Sequence, residues 1–277
     1  MSNTLTGTGI GLRGPHIPRL LKERPAVPWL EALADNHLAP AGPAREQLRA
    51  VRQDYPVTLH CVGMSIGGTD PIDEAYLARI RALRDEIEPA WISDHLCWTA
   101  VDGQQMHDLL PLPYTKATLR HVGDRILAIQ DFLQCNILVE NVSSYFKFRE
   151  SSIADAEFLS ELTRITGCGL LLDVCNSYVS SFNHGTTAQE FLERLPLDRV
   201  AEIHLAGFDD QGDHLLDAHN ASVPEVVWEL FARVMQRRPE IPALVEWDRD
   251  LPDLDVLIEQ ARRADAIRRV QINGESG

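Results

Sequence analysis

Lysine is nearly absent: the 277 residues hold three (Lys22, Lys116 and Lys147) against 23 arginines. Schiff-base chemistry has few candidates, and none of the three ends a strand-like run. Cysteine is scarce and odd in number. Cys61, Cys97, Cys135, Cys168 and Cys175 show no C-x-x-C spacing, which fits reduced thiols better than a disulfide framework. No apolar run approaches the roughly 20 residues that cross a bilayer. The opening MSNTLTGTGIGLRG lacks a basic stretch followed by an apolar core, so no secretory signal is expected and a cytoplasmic setting is. Positive charge is in deficit, with a net charge of -15. Such a surface repels phosphate backbones, so neither nucleic acid nor an anionic membrane is an expected partner.

What is present is enough apolar sequence, 44%, for one large core. Short β-rich runs alternate with helical patterns throughout. Strands are expected at Gly9–Leu12, Trp29–Leu33, Val57–His60, Ala90–Ser93, Ile137–Glu140, Gly169–Asp173, Val200–His204 and Ala243–Glu246. Between them, apolar residues recur at three- and four-residue steps near 43–54, 71–87, 115–133, 155–166, 188–195, 223–236 and 253–263. Asp70 followed by Pro71 reads as one helix start. Eight βα units without a long linker predict an α/β fold, a single (β/α)8 TIM barrel over 1–277, with a doubly wound sheet as the alternative. The tail from about 268 to 277 is expected to fray. Gly9-Ile-Gly11-Leu-Arg-Gly14 matches G-x-G-x-x-G, but PHIP follows where a helix should open, so a dinucleotide site is not expected.

The strand ends are the informative positions. VTLH ends in His60, NILVE in Glu140, GLLLD in Asp173, AEIH in His204 and ALVEW carries Glu246; WISDH brings His95 just past its strand. In a barrel those ends ring one cavity, where active sites sit. Each residue alone reads as a turn or cap residue. Six together, out of water, would repel or desolvate at several kcal/mol each unless a cation neutralised them. Imidazole with carboxylate suits Fe, Mn, Zn or Co, and the number of donors exceeds what one ion needs. The stretch HLAGFDDQGDHLLDAH then gains a role: Asp217 and His219, two apart, join Asn176 and His184 of DVCNSYVSSFNHG around a further ion. Asp209, Asp210, Asp213 and His214 read as solvent-facing loop.

LPLPYT, VENVSSY, LLDVCNSYVSSFNHG, EIHLAG and LVEWD resemble the signature blocks of the multinuclear non-heme iron-dependent oxidative enzymes. The resemblance runs from Gly9 to near Leu257. It implies a xylose-isomerase-like barrel holding two or three irons, Fe(II) and Fe(III), with O2 as co-substrate. It also implies a ribosomal precursor peptide whose cysteine is modified, and a partner protein that presents the peptide. His60, His95, Glu140, Asp173, His204 and Glu246 would hold the central irons, with Asn176, His184, Asp217 and His219 around the third. The chain departs from the commoner pattern at Asp35-Asn36-His37, at Asp94 and at Cys175. These departures lean the expected outcome toward excision of the β-carbon of a C-terminal cysteine rather than closure of a cysteine-derived heterocycle.

Other residues are candidates for substrate or ligand positioning. Asn141, Tyr145 and Tyr178 are read as orienting ligands, His37 as a substrate contact and Arg13 as steering a peptide carboxylate. Packing, an ordinary turn or a surface arginine is the plain alternative for each. Three other functions compete. A metal-dependent sugar isomerase or epimerase would use a similar barrel without O2. An endonuclease IV-like phosphodiesterase shares the ligand order but has His where this chain has Asn176. A non-catalytic metal scaffold would close its coordination.

Overall fold

In the computed structural model, which describes residues 5–274, the strands in chain order are β1 (Thr8–Leu12), β2 (Leu30–Leu33), β3 (Val57–His60), β4 (Ile92–His95), β5 (Trp98–Val101), β6 (Gln104–Leu110), β7 (Leu138–Glu140), β8 (Gly169–Asp173), β9 (Val200–Leu205), β10 (Phe208–Asp210), β11 (Leu215–Asp217) and β12 (Ala243–Val245). Eight of them close in the order β1-β12-β9-β8-β7-β4-β3-β2, every pairing parallel. Two antiparallel hairpins, β5-β6 and β10-β11, stand apart from the barrel. The expected TIM barrel is therefore the fold, and the doubly wound sheet is excluded.

The helices are α1 (Ile17–Glu23), α2 (Pro43–Asp54), α3 (Glu74–Ile87), α4 (Lys116–Leu133), α5 (Asp155–Thr166), α6 (Val174–His184), α7 (Ala188–Arg194), α8 (Glu225–Arg237) and α9 (Leu254–Gly274). Their apolar stripes press on the barrel wall; α8 buries Val227, Trp228, Leu230, Phe231, Val234 and Met235, as its three-and-four spacing requires. Two expectations need correction. Residues 268–274 continue α9 instead of fraying, while 275–277 lie outside the described residues. Helix α3 is capped by Asp73, whose side chain accepts from the Tyr76 N–H. Asp70 is claimed instead by the β5-β6 turn, accepting from the Asp102 and Gly103 N–H groups. The segment after Asp173, for which no element was expected, is the helix α6. No helix among the described residues is long and apolar enough to cross a membrane.

Alternation along the strands sorts the barrel interior into layers. The floor is apolar, with Trp29 fully buried against Leu5 and Leu244 and edge-on to Trp91 at 6.3 Å. Gly9 makes room there, since a Cβ at that position would meet the Trp29 indole at 2.6 Å. Gly11, on the same face one step up, leaves space for the Arg13 guanidinium in the same way. Those glycines thus have a packing reason unrelated to phosphates. Above the floor lie buried Glu31, Thr58 and Glu202, and above them the strand-end residues.

Candidate metal centre

His60, Ser93, His95, Glu140, Asp173 and His204 are inward positions near the C-terminal ends of β3, β4, β7, β8 and β9, and Glu246 directly follows β12. All seven are buried, with Asp173 and His204 at 0% exposure and Glu140 at 1%. Four overlapping groups converge closely enough to hold ions: His60/His95/Glu140, Glu140/Asp173/His204, Asp173/His219/Glu246 and Glu31/His204/Glu246. Glu140, Asp173, His204 and Glu246 each belong to two groups. Shared carboxylates are what a polynuclear centre needs.

The first group is nearly an equilateral triangle. His60 Nε2, His95 Nε2 and Glu140 Oε2 are each 3.3 Å from the other two. The centre of such a triangle is about 1.9 Å from each corner, close to the ~2.0–2.2 Å at which imidazole and carboxylate bind zinc-sized ions. His60 is held in register by its Nδ1, 2.7 Å from the Ser93 hydroxyl, which leaves Nε2 for an ion.

The second cluster has the same character. His219 Nε2 and Asp217 Oδ1 lie 2.6 Å apart as an ion pair, and neither has any further hydrogen-bond partner. Asp173 Oδ2, 3.8 Å from the same nitrogen, is unpaired. Buried polar atoms left unpaired cost about 1–3 kcal/mol each, and a cation among them removes that cost. His219 sits at φ 45°, a left-handed conformation that is uncommon outside glycine. Its backbone is fixed on both sides: its N–H donates to the Gly207 carbonyl and its carbonyl accepts from the Asp248 N–H. Gly207 permits this approach, because a Cβ there would meet the Ala221 carbonyl oxygen at 2.3 Å.

Protonation in the metal-free protein reflects the same crowding. Burial pushes Glu140 up to about 8 and Asp173 up to about 7. Burial also drives His60 well below the ordinary imidazole value, with His95 and His204 adding to it. Burial opposes the charge on His95, but Glu140 and Asp94 outweigh it and raise it to about 9. Against burial, Glu31 and Glu246 hold His204 well above the ordinary value, and Asp217 and Glu246 do the same for His219. Burial opposes ionisation of Glu246, which His204 and His219 nonetheless keep well below the carboxylate range.

The other candidate residues divide. Asn176 is buried with its Oδ1 unpaired, while its amide donates to the Asn141 carbonyl. Asn141 brackets Asp173, accepting from its N–H and donating to its carbonyl, so it positions that carboxylate. Tyr145 accepts from the Asp217 N–H and bonds Ser143, which in turn donates to Asp217 Oδ2. His184 is not brought to the cluster. It ends α6, where its Nε2 bonds the Ser144 hydroxyl. Eight residues of helix separate it from Asn176, about 12 Å at 1.5 Å per residue. Tyr178 packs on Phe208 and Phe182. His37 faces away, bonded to the Ala44 carbonyl beneath α2. Arg13 is engaged at the mouth, 3.6 Å from Glu246 Oε1 and hydrogen-bonded to Asp248 and the Trp247 carbonyl; it braces a ligand and is not free to steer a carboxylate. Asp210, Asp213 and His214 are exposed on the β10-β11 hairpin, as expected, whereas Asp209 is half-buried and accepts from the Asn220 amide.

Glu31, Glu202 and Asp248 had escaped the sequence reading. Glu202 stands two before His204 on the same strand, so strand period alone places it inward. Glu31 is a lone acid inside the apolar LEAL of β2. Asp248 Oδ2 lies 3.4 Å from His219 Nδ1, with no pattern to mark it.

Residues 7–269 match the family described as RiPP precursor modification enzyme MbnB/TglH/ChrH. The chain belongs to this family. It is 50% identical over 260 residues to a UPF0276 protein of Anaeromyxobacter sp. strain Fw109-5, covering 94% of this chain and 92% of that one. A UPF0276 protein of Acaryochloris marina is 45% identical over 261 residues, 94% of each. Among solved structures, a xylose isomerase domain containing protein of Salmonella typhimurium superposes with a TM-score of 0.65 at 17% identity, covering 97% of this chain and 99% of that one. Endonuclease IV of Thermus thermophilus gives 0.61 at 17%, with the same coverage. Those two likenesses concern the fold. The family establishes an enzyme that modifies ribosomally made precursor peptides.

Proposed function

We propose that the chain is a multinuclear iron- and O2-dependent oxidase that modifies a cysteine of a ribosomally made precursor peptide. Its ions are held by His60, His95, Glu140, Asp173, Asn176, His204, Asp217, His219 and Glu246. A separate protein presents the peptide. The outcome is excision of the cysteine β-carbon or closure of a cysteine-derived heterocycle. The observation that carries this reading is the sharing of four buried ligands between adjacent donor groups, a set with more donors than a single ion uses. Iron bound there supplies Lewis acidity and one-electron chemistry with O2.

The chain's own residues do the rest. Burial excludes water from the donors, which strengthens every charge interaction at the mouth. Asn141, Ser93 and Arg13 fix Asp173, His60 and Glu246 in place. Cys61, Cys97 and Cys175 are buried and their thiols are pushed well above the ordinary value by desolvation, with nearby carboxylates adding to it. Such thiols stay protonated and inert, so the reacting thiol belongs to the peptide. On the same face, a groove of about 1060 Å³ lies along the β5-β6 hairpin, where Asp35, Asp70, Asp73, Asp102 and Asp108 outnumber Arg79 and Arg125. Its size and charge suit an extended, basic peptide segment.

The test is co-expression with adjacent short open reading frames and their neighbours, followed by mass spectrometry of the peptides and iron analysis of the protein. A mass change at cysteine that needs both O2 and iron is expected. Turnover under strict anaerobiosis with no electron acceptor would remove the oxidase reading and favour a metal-dependent isomerase. Full iron occupancy with unchanged peptides would favour a scaffold.

A further inference from the structure

His204 is fully buried and has carboxylates on both sides of its ring. On the mouth side, Nδ1 lies 3.0 Å from Glu246 Oε2 and 3.8 Å from Glu140 Oε1. On the floor side, Nε2 lies 3.2 Å from Glu31 Oε1 and 3.5 Å from Glu202 Oε1. Glu31 and Glu202 are at most 1% exposed. Their second oxygens are engaged from below, Glu31 Oε2 by the Thr58 hydroxyl at 3.2 Å and Glu202 Oε2 by the Trp91 indole N–H. Beneath them is the indole floor.

The two sides are not equivalent. Glu140 and Glu246 also belong to the two groups that contain His95 and His219, whereas Glu31 belongs only to the group it forms with His204 and Glu246, so most of the shared donors stand on the Nδ1 side, where a shared ion would sit. Only Glu31, Glu202, a hydroxyl and apolar rings lie on the other. A neutral imidazole that ligates through Nδ1 must carry its hydrogen on Nε2, and Glu31 is the nearest acceptor for it. We propose that Glu31, backed by Thr58 and with Glu202 beside it, is the positioning residue that fixes the tautomer and ring plane of His204. It acts as a carboxylate–histidine–metal relay running down the barrel axis. It rests on the proposed function only in taking the mouth to hold metal ions. A carboxylate acceptor in that place raises the donor strength of the ligating nitrogen, and removing such a partner commonly weakens metal binding 10–100-fold.

The experiment uses cobalt(II) as the probe ion on the full chain, with chelator competition and proton NMR. The hyperfine-shifted, exchangeable imidazole N–H of His204 is assigned by its loss in His204→Ala. In Glu31→Ala, the affinity of one ion should fall about 10–100-fold with saturating stoichiometry unchanged, and the His204 N–H signal should move and exchange faster. Glu31→Gln keeps an acceptor oxygen and should recover most of the affinity. Thr58→Val should shift the same signal in the same direction by less, which keeps the test available if Glu31→Ala does not fold. Variants indistinguishable from wild type would overturn the relay. So would a stoichiometry one ion lower with the His204 signal in place, which would make Glu31 a ligand. Wild-type protein that binds no cobalt(II) would bring down the metal reading itself, and the relay with it.

Discussion

The Nε2 atoms of His60 and His95 face each other across 3.3 Å, and Glu140 Oε2 completes the triangle at the same distance from each. Two imidazoles so placed can exchange at most one hydrogen, and their shared carboxylate is buried. Glu140→Gln keeps the shape and removes the charge. Its metal content should fall by at least one ion, by elemental analysis. Peptide conversion should drop more than the 10–100-fold typical of residues that only support a ligand.

The crowding gives the metal-free protein an unusual pH response. Glu140, near 8 when folded, and Asp173 and Glu31, both near 7, lie above their ordinary values of 4.5, 3.8 and 4.5. His95, near 9 when folded, lies above 6.5. Each folded group therefore holds a proton that the unfolded chain has released. The stabilisation is complete below the unfolded value and is lost as pH rises through the folded one. From about pH 6.5 to 7 all four act in one direction, and Glu140 and His95 carry the trend on to about pH 8. Chelator-treated protein should melt several degrees lower at the upper end, by calorimetry, and added divalent metal should erase the slope. A flat profile without metal would contradict this.

Asn141 and His184 separate a positioning residue from a bystander. Asn141→Ala frees both backbone groups of Asp173. It should cost about 1–3 kcal/mol of stability and weaken metal binding about 10–100-fold. His184→Ala should leave metal content unchanged, because its ring bonds Ser144 two helical turns from the centre. Equal metal loss in both would restore His184 as a ligand.

Gly9→Ala tests the floor. The added methyl would press on the Trp29 indole, and overpacking of this kind costs about 1–3 kcal/mol. Urea unfolding should register that loss while metal stoichiometry holds.

Much of the centre was legible because a barrel converts chain order into a ring. His60, Glu140, Asp173 and His204 stand at strand ends, and strand ends meet whatever the intervening sequence. What failed was local. The segment from Val174 is rich in Ser and Asn, which are weak helix formers; Asp173 caps it and tertiary packing carries it, so His184 was carried off along a helix that the pattern did not announce. Glu31 was passed over because a single acid in a four-residue apolar run carries no periodic signal. Glu202 does carry one, two residues before His204 on the same strand, but it lies a layer below the strand ends. Asp217 and His219 converge as expected, though through a left-handed turn and not an extended strand.

The lower end of the barrel is packed with indole, Trp29 being fully buried against Leu5 and Leu244. On the proposed function, ions, dioxygen and the peptide would all enter past the rim of strand ends, which sets an order of arrival: ions first, peptide last. A peptide resting on the rim then works as a stopper, and exchange of the ions with the surroundings should stall for as long as it stays.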